Sequence, residues 1–233
     1  MNLNLSKIPN SKEDISLPEK ITDNLAEETG LHIGDGTMNF YKIRKKIKGS
    51  YALRGHRFDD RLHYEKIIKP LYQKLYNLNI SLRDMPSTGV FGFQKWSDSL
   101  VNFKKDILKL PLGKKINIQI PNQFILKPSL TLSVIRGIFD TDGTLYLEPK
   151  RGKLYPRIEI GTISKNLADQ LFHLINKLDI RATNYSYVPK IANWHIVYKI
   201  SVRGEHMLNK WIQKVSPHNP KHLQKYQYFI DHS

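Results

Sequence analysis

Leu132-Ser-Val-Ile-Arg-Gly-Ile-Phe-Asp-Thr-Asp-Gly-Thr144 decides the reading of this chain, because its core occurs twice. The stretch Glu28-Thr-Gly-Leu-His-Ile-Gly-Asp-Gly-Thr37 aligns with it without a gap. Gly30 falls on Gly137, Leu31 on Ile138, Gly34 on Thr141, and the Asp-Gly-Thr of 35–37 on that of 142–144. Each copy reads as the end of an apolar helix with one carboxylate at its C-terminal tip. The negative end of the helix dipole disfavours an aspartate there. A hard divalent cation reverses that objection, since carboxylate and carbonyl oxygens are what it binds. Two such placements in one chain point to function.

The 233 residues carry a net charge of +16, from 37 Lys and Arg against 21 Asp and Glu. Excess charge of one sign repels itself, so a polyanionic partner is expected. The chain has no Cys, which excludes disulfides, thiol catalysis and thiolate zinc sites. The His residues show no metal-type spacing, and phosphate loops of Walker form are absent. No apolar run approaches the roughly 18 residues of a membrane span. The first residues hold no signal-peptide core. A soluble intracellular protein of the cytoplasm or an organelle matrix, without a membrane partner, is expected.

Residues 1–17 are polar without a sustained period and read as a tail. A helix is expected from Pro18 to Gly34, with Ile21, Leu25 and Leu31 buried. From Met38 the period changes to two, and a hairpin through residue 54 follows. Between Lys42 and Arg57 lie Lys42, Arg44, Lys45, Lys46, Lys48, Arg54 and Arg57, without an acid. Alternation places part of this charge on one face of a two-stranded ribbon, a shape that fits the major groove. Next comes a helix carrying Leu62, Ile67, Ile68, Leu71 and Leu75, with Asp59 or Asp60 as its cap and a break expected at Pro70. Strands at 80–85 and 89–96 and a short helix at 97–110 close the first half. The second half repeats the order: a helix opened by Pro128, a hairpin around Lys150-Arg-Gly-Lys153, a helix capped by Ser164, strands at 183–188 and 195–202, and a last helix at 205–215.

Gly-Ile-Phe-Asp-Thr-Asp-Gly at 137–143 resembles the core of the LAGLIDADG homing endonuclease motif, with a looser copy at 30–36. The first copy departs from the family pattern at His32 and Ile33, and the second at Arg136. The resemblance implies an α+β fold of two pseudo-symmetric αββαββα repeats, whose antiparallel sheets form a DNA-binding saddle around two central packed helices. Residues 18–115 would form the first repeat, 116–127 the linker and 128–233 the second repeat. It assigns close helix packing to Gly30, Gly34, Gly137 and Thr141, and the metal to Asp35 and Asp142, with the backbone of Gly34 and Thr141 beside it. Asp140 is then a structural helix-end residue, since the first copy has Ile33 there. Asp142 minus Asp35 is an offset of 107, and adding 107 to Lys114 gives Lys221. Family members often keep a basic residue from each half beside the metals, so Lys114 and Lys221 are candidate catalytic lysines, with Lys115 as the neighbour that could hold the same place. The resemblance further implies Mg²⁺ as cofactor, with Ca²⁺ binding without supporting cleavage.

The expected function is a monomeric endonuclease that breaks both strands of a long, imperfectly symmetric DNA duplex. The DNA would meet Lys42, Arg44, Lys46, Lys48, Arg54 and Arg57 of the first half, and Lys150, Arg151, Lys153 and Arg157 of the second. One rival is a maturase that acts on intron RNA with the same fold. Another is a DNA-binding regulator without cleavage, against which the retention of both Asp35 and Asp142 argues.

Overall fold

The computed structural model describes residues 2–6, 8, 15–190 and 195–232. Helix α1 (Asp23–Asp35) runs into the hairpin β1 (Gly36–Ile43) and β2 (Lys46–His56). Helix α2 (Arg61–His63) passes through a π-helical turn (Tyr64–Ile68) into α3 (Lys69–Tyr76), and β3 (Arg83–Met85) and β4 (Val90–Trp96) follow. The half closes with α4 (Asp98–Asn102), which widens into a second π turn (Phe103–Ile107). Helix α5 (Pro128–Asp142), β5 (Gly143–Lys150), β6 (Lys153–Thr162), α6 (Lys165–Lys177), β7 (Ala182–Tyr187), β8 (Val197–Arg203) and α7 (Glu205–Lys214) repeat that order. A last helix, α8 (Pro220–Asp231), was not expected from the sequence. Its start is set by Asn219, whose side chain accepts from the Lys221 N–H, and by Pro220 in the first turn.

The two antiparallel sheets have the orders β1-β2-β4-β3 and β5-β6-β8-β7. Their registers differ by the same 107 residues as the motifs. Gly36 pairs with Leu53 where Gly143 pairs with Ile160, and Arg54 with Gly92 where Gly161 pairs with Lys199. The expected α+β repeat is therefore present strand for strand. Apolar residues of one face of each sheet, such as Leu53, Phe93, Ile158 and Ile200, pack against the helices in one buried core.

The core turns on α1 and α5, which touch through glycine. A Cβ at Gly30 would clash with the Val134 carbonyl oxygen and lie 2.9 Å from the Gly137 Cα. One at Gly137 would clash with the Glu27 carbonyl oxygen and lie 2.7 Å from the Leu31 nitrogen. At Gly34 the atom met is the Thr141 hydroxyl. All four residues expected to pack these helices lie at the crossing.

Helix starts and breaks differ in detail from expectation. Helix α1 begins at Asp23 and not near Pro18, because the Thr22 hydroxyl accepts the Leu25 N–H at 3.2 Å and fixes the first turn. Asp60 stands at the start of α2 but makes no cap bond to it. The break expected at Pro70 is a π turn ahead of it, with Pro70 in the first turn of α3, where no N–H is needed. That turn rotates the helix so that Tyr64, Tyr72 and Tyr76 are buried, while Leu62 is exposed. The tail expected over 1–17 lies partly outside the described residues. Where it is described it is tied down: Asn2 bridges to Lys20, and the Ser16 N–H donates to the Tyr76 carbonyl at 2.9 Å.

Inside the first half, Lys104 Nζ lies 2.5 Å from Glu28 Oε1, both fully buried, and Tyr72 and Tyr76 donate to the same carboxylate at 2.5 and 2.9 Å. At the offset of 107 the second half has Ile135 and Trp211, so an ion pair and an apolar pair fill equivalent places. Two changes test this packing. Gly137→Ala should destabilise by roughly 1–3 kcal/mol through overpacking. Lys104→Met should destabilise by about 3–5 kcal/mol, since it leaves a buried charge unpaired. Urea unfolding reads both, and unchanged midpoints would contradict the packing described.

Candidate active site and nucleic-acid interface

Asp35 and Asp142 end α1 and α5, and a glycine follows each. The chain turns from helix to strand so tightly that a Cβ on Gly36 would sit 2.7 Å from the His32 Cα, and one on Gly143 would run into the Phe139 ring. The helix crossing sets the two tips side by side: a Cβ on Gly34 would already lie 3.5 Å from the Asp142 carboxyl carbon.

The site is crowded with charge. Burial, then the carboxylates of Asp142 and Asp60, push Asp35 up to about 8, against the pull of Lys115 and Lys221. The protein around Asp142 pushes it to about 6, with Lys115, Lys221 and Lys199 opposing. Asp142 is open to solvent and Asp35 only partly so, which softens the push on Asp142. Asp35 is thus the member of the pair that holds a proton in the metal-free chain.

The lysines divide their work unequally. Lys115, and not Lys114, reaches the tip of α1: its Nζ donates to the carbonyls of His32 at 3.3 Å, Ile33 at 2.8 Å and Gly34. A cation on the last carbonyls of a helix is favoured by the dipole. The Gly34 carbonyl, expected beside the metal, is engaged by this lysine. Lys114 is exposed on the groove wall. In the second half the residue matching Lys115 is His222, buried against the Phe139 ring with Nε2 3.2 Å from the Phe139 carbonyl oxygen. Burial and the Lys221 charge hold it to about 3, so it is neutral and donates. The Thr141 hydroxyl turns back onto the Gly137 and Ile138 carbonyls.

Lys221 pairs with Asp60 at 2.8 Å. Asp140 is fully buried and accepts the His218 N–H at 2.9 Å, while its carbonyl accepts from Asn219. It anchors the approach to α8. Sequence reasoning missed Asp60, Lys199 and His222 as members of the site. The signal for Asp60 was its match, at the same offset, to the core residue Leu167. An acid where the other repeat has a core leucine has a reason to be there.

Above the pair lies a groove of about 940 Å³ walled by both sheets, with Tyr41 and Arg54 on one side, Tyr187 and Lys199 on the other, and Asp142 and Lys115 on its floor. Strand alternation decides which basic residues face it. Lys48 lies opposite Tyr41 and Lys46 opposite Ile43, on the groove face with Arg54. Lys42 lies opposite Ile47, on the reverse face. Arg44 and Arg151 occupy hairpin turns at positive φ. Arg57 is held by Asp84 at 2.7 Å. In the second sheet Lys150 and Lys153 pair at the tip, and Arg157 lies beside Tyr146, its guanidinium 5.3 Å from the ring centre. Each groove face also has a polar network: Arg54 to Gln94 to Ser50 on one, and Glu159 with Tyr185 at 2.7 Å, Arg157 at 3.5 Å and Lys199 at 3.7 Å on the other.

Paired helices ending in carboxylates beneath two antiparallel sheets define a two-repeat saddle. Residues 129–215, most of the second repeat, match the family model of the LAGLIDADG-like domain. Over the whole chain the fold is that of two-motif LAGLIDADG proteins. It is shared with a variant of I-DmoI solved with its nicked target DNA and Mn (17% identity, 84% of this chain and 97% of that chain, TM-score 0.61). It is also shared with the meganuclease I-AabMI bound to uncleaved DNA (14%, 91% and 90%, 0.54) and the homing endonuclease I-GzeII in complex with its DNA target (12%, 91% and 88%, 0.54). No curated protein matches the chain. No helix among the described residues is long and apolar enough to cross a membrane.

The protonation of Asp35 has a measurable consequence. Its value is about 8 folded against an ordinary 3.8, so across that window the folded state binds more protons than the unfolded one. Its contribution to stability therefore falls as pH rises towards 8. The buried His32, His63 and His222, all held below their ordinary 6.5, act in the opposite sense only below that value. In EDTA, between pH 6.5 and 8, the urea midpoint should fall with pH, and fall less in Asp35→Asn. Equal slopes would contradict the proton on Asp35.

Proposed function

We propose that this chain is a monomeric homing endonuclease that makes a metal-dependent double-strand break in a long, imperfectly symmetric DNA target. One observation carries the reading: two carboxylates, one from each repeat, meet at the abutting tips of α1 and α5, and Asp142 of that pair lines the floor of a groove walled by two basic sheets. A binding protein needs neither carboxylate there. I-DmoI, whose fold this chain shares, has been solved with DNA and Mn and with DNA and Ca.

The residues fit a divalent cation. Burial raises both Asp35 and Asp142, the charges of Asp142 and Asp60 add to the rise at Asp35, and a dication would favour the charged form of both. No group of three His, Cys, Asp or Glu forms a metal cluster among the described residues. The remaining ligands would come from water and DNA oxygens, as Mg²⁺ usually has them. When bound, the metal supplies a water activated for attack and neutralises charge on the scissile phosphate. Lys115 and Lys221 bring positive charge to the same place, where it favours the transition state over the ground state. The proton lost by the attacking water passes to solvent.

The two repeats, 18–115 and 128–233 joined by 116–127, divide the target. Lys46, Lys48 and Arg54 serve one half-site, and Lys150, Lys153 and Arg157 the other. The groove faces have diverged, so the half-sites differ in sequence.

The test uses duplex DNA made by joining the sequences that flank the coding segment. Cleavage of both strands is expected in Mg²⁺, with binding but no cleavage in Ca²⁺, and loss of cleavage with retained binding in Asp35→Asn and Asp142→Asn. Binding without a break in Mg²⁺ or Mn²⁺ would overturn the nuclease reading. Affinity should fall with salt at a log–log slope of about −0.9 per phosphate neutralised, and a salt-independent affinity would contradict the basic groove.

A further inference from the structure

The two halves are unequal in one respect that bears on cleavage. Asp60 is 4% exposed and accepts three bonds: from the His56 N–H at 2.7 Å, from Asn219 Nδ2 at 2.8 Å and from Lys221 Nζ at 2.8 Å. It belongs to the first repeat, and both side-chain donors belong to the second. Gly55 separates it from the catalytic pair by the width of a backbone: a Cβ there would lie 2.7 Å from Asp60 Oδ2 and 3.0 Å from Asp35 Oδ2. At the offset of 107 the matching residue is Leu167, buried in the core, and the lysine matching Lys221 is Lys114, exposed on the groove wall. One lysine is therefore held in place by a buried carboxylate. Its counterpart faces a half that has no such acid.

Resting on the endonuclease reading above, we propose that Asp60 is a positioning residue that fixes Lys221 beside Asp35 and makes the two strand cleavages chemically unequal. A lysine is a point charge on a flexible stem, and ordering it costs rotamer entropy. Asp60 meets that cost in the folded protein, before DNA binds. Burial opposes its ionisation, but the Lys221 charge and the bonds from Lys221, Asn219 and His56 hold it below its ordinary value. The carboxylate is thus present at neutral pH to hold the lysine. Acting through Lys221, it serves the strand whose phosphate lies on that side. The other strand depends on Lys115, which is fixed by backbone carbonyls and needs no acid.

Single-turnover cleavage in Mg²⁺, with the two strands of the flanking-sequence duplex carrying different labels, tests this. Asp60→Asn should slow one strand about tenfold and the other less than about twofold, so that nicked duplex accumulates with affinity unchanged. Lys221→Met should slow the same strand, and Asp60→Asn should add less than about twofold in that background, as expected of residues that act as a unit. Equal slowing of both strands, no change in either, or additive effects would overturn the proposal. If Asp60→Asn does not melt cooperatively, Lys221→Met carries the test alone, and equal slowing of both strands by it is the overturning result. A wild-type chain that cuts neither strand in Mg²⁺ or Mn²⁺ overturns the nuclease reading, and the inference falls with it.

Discussion

The backbone contact of Gly30 with Gly137 is the constraint on which the rest of the structure depends. Two helices can approach this closely only where neither carries a side chain, and here a single Cβ on either residue meets the opposite backbone. That approach determines the spacing of the helix tips, and so the spacing of Asp35 and Asp142. The sheets grow directly from those tips through Gly36 and Gly143, so the groove and the carboxylates share one origin. A helix pair held apart by ordinary side chains would separate the two acids and open the groove floor.

Around this symmetric frame the halves have kept geometry and changed chemistry. A constant offset of 107 runs from the motif helices through β4 and β8, yet the contents at matched places differ in kind. The buried Glu28–Lys104 pair answers to Ile135 and Trp211, and Lys115 at one helix tip answers to His222 at the other. The Arg54–Gln94–Ser50 network of one groove face stands against Glu159, Tyr185, Arg157 and Lys199 on the other. A buried charge must be paired, and Lys104 is, while Trp211 and His222 fill their matched places as neutral groups. The outcome is a two-fold scaffold whose groove is walled by two different surfaces.

The sequence made the frame legible because the determinants are local. Gly30, Gly34, Gly137 and the two Asp-Gly-Thr turns stand in order along the chain, and the strands between them alternate plainly. What stayed hidden depends on contacts distant in sequence. Asp60 looked like a helix cap because Asp before a helix commonly is one, and nothing local reveals that it bonds Asn219 and Lys221 instead. Lys114 and Lys115 are adjacent, and only the course of the linker settles that Lys115 is the one reaching α1. Helix α8 escaped because its sequence lacks a sustained apolar stripe, and only His222 and Phe229 of it are buried.

Crystals of the chain with the flanking-sequence duplex and Mn²⁺ test the central claim most directly, through the anomalous scattering of the metal. The account predicts manganese in contact with the carboxylates of both Asp35 and Asp142, beneath a duplex lying along the groove faces of the two sheets. Manganese bound only elsewhere, or a duplex seated on the helical side of the molecule, would contradict it.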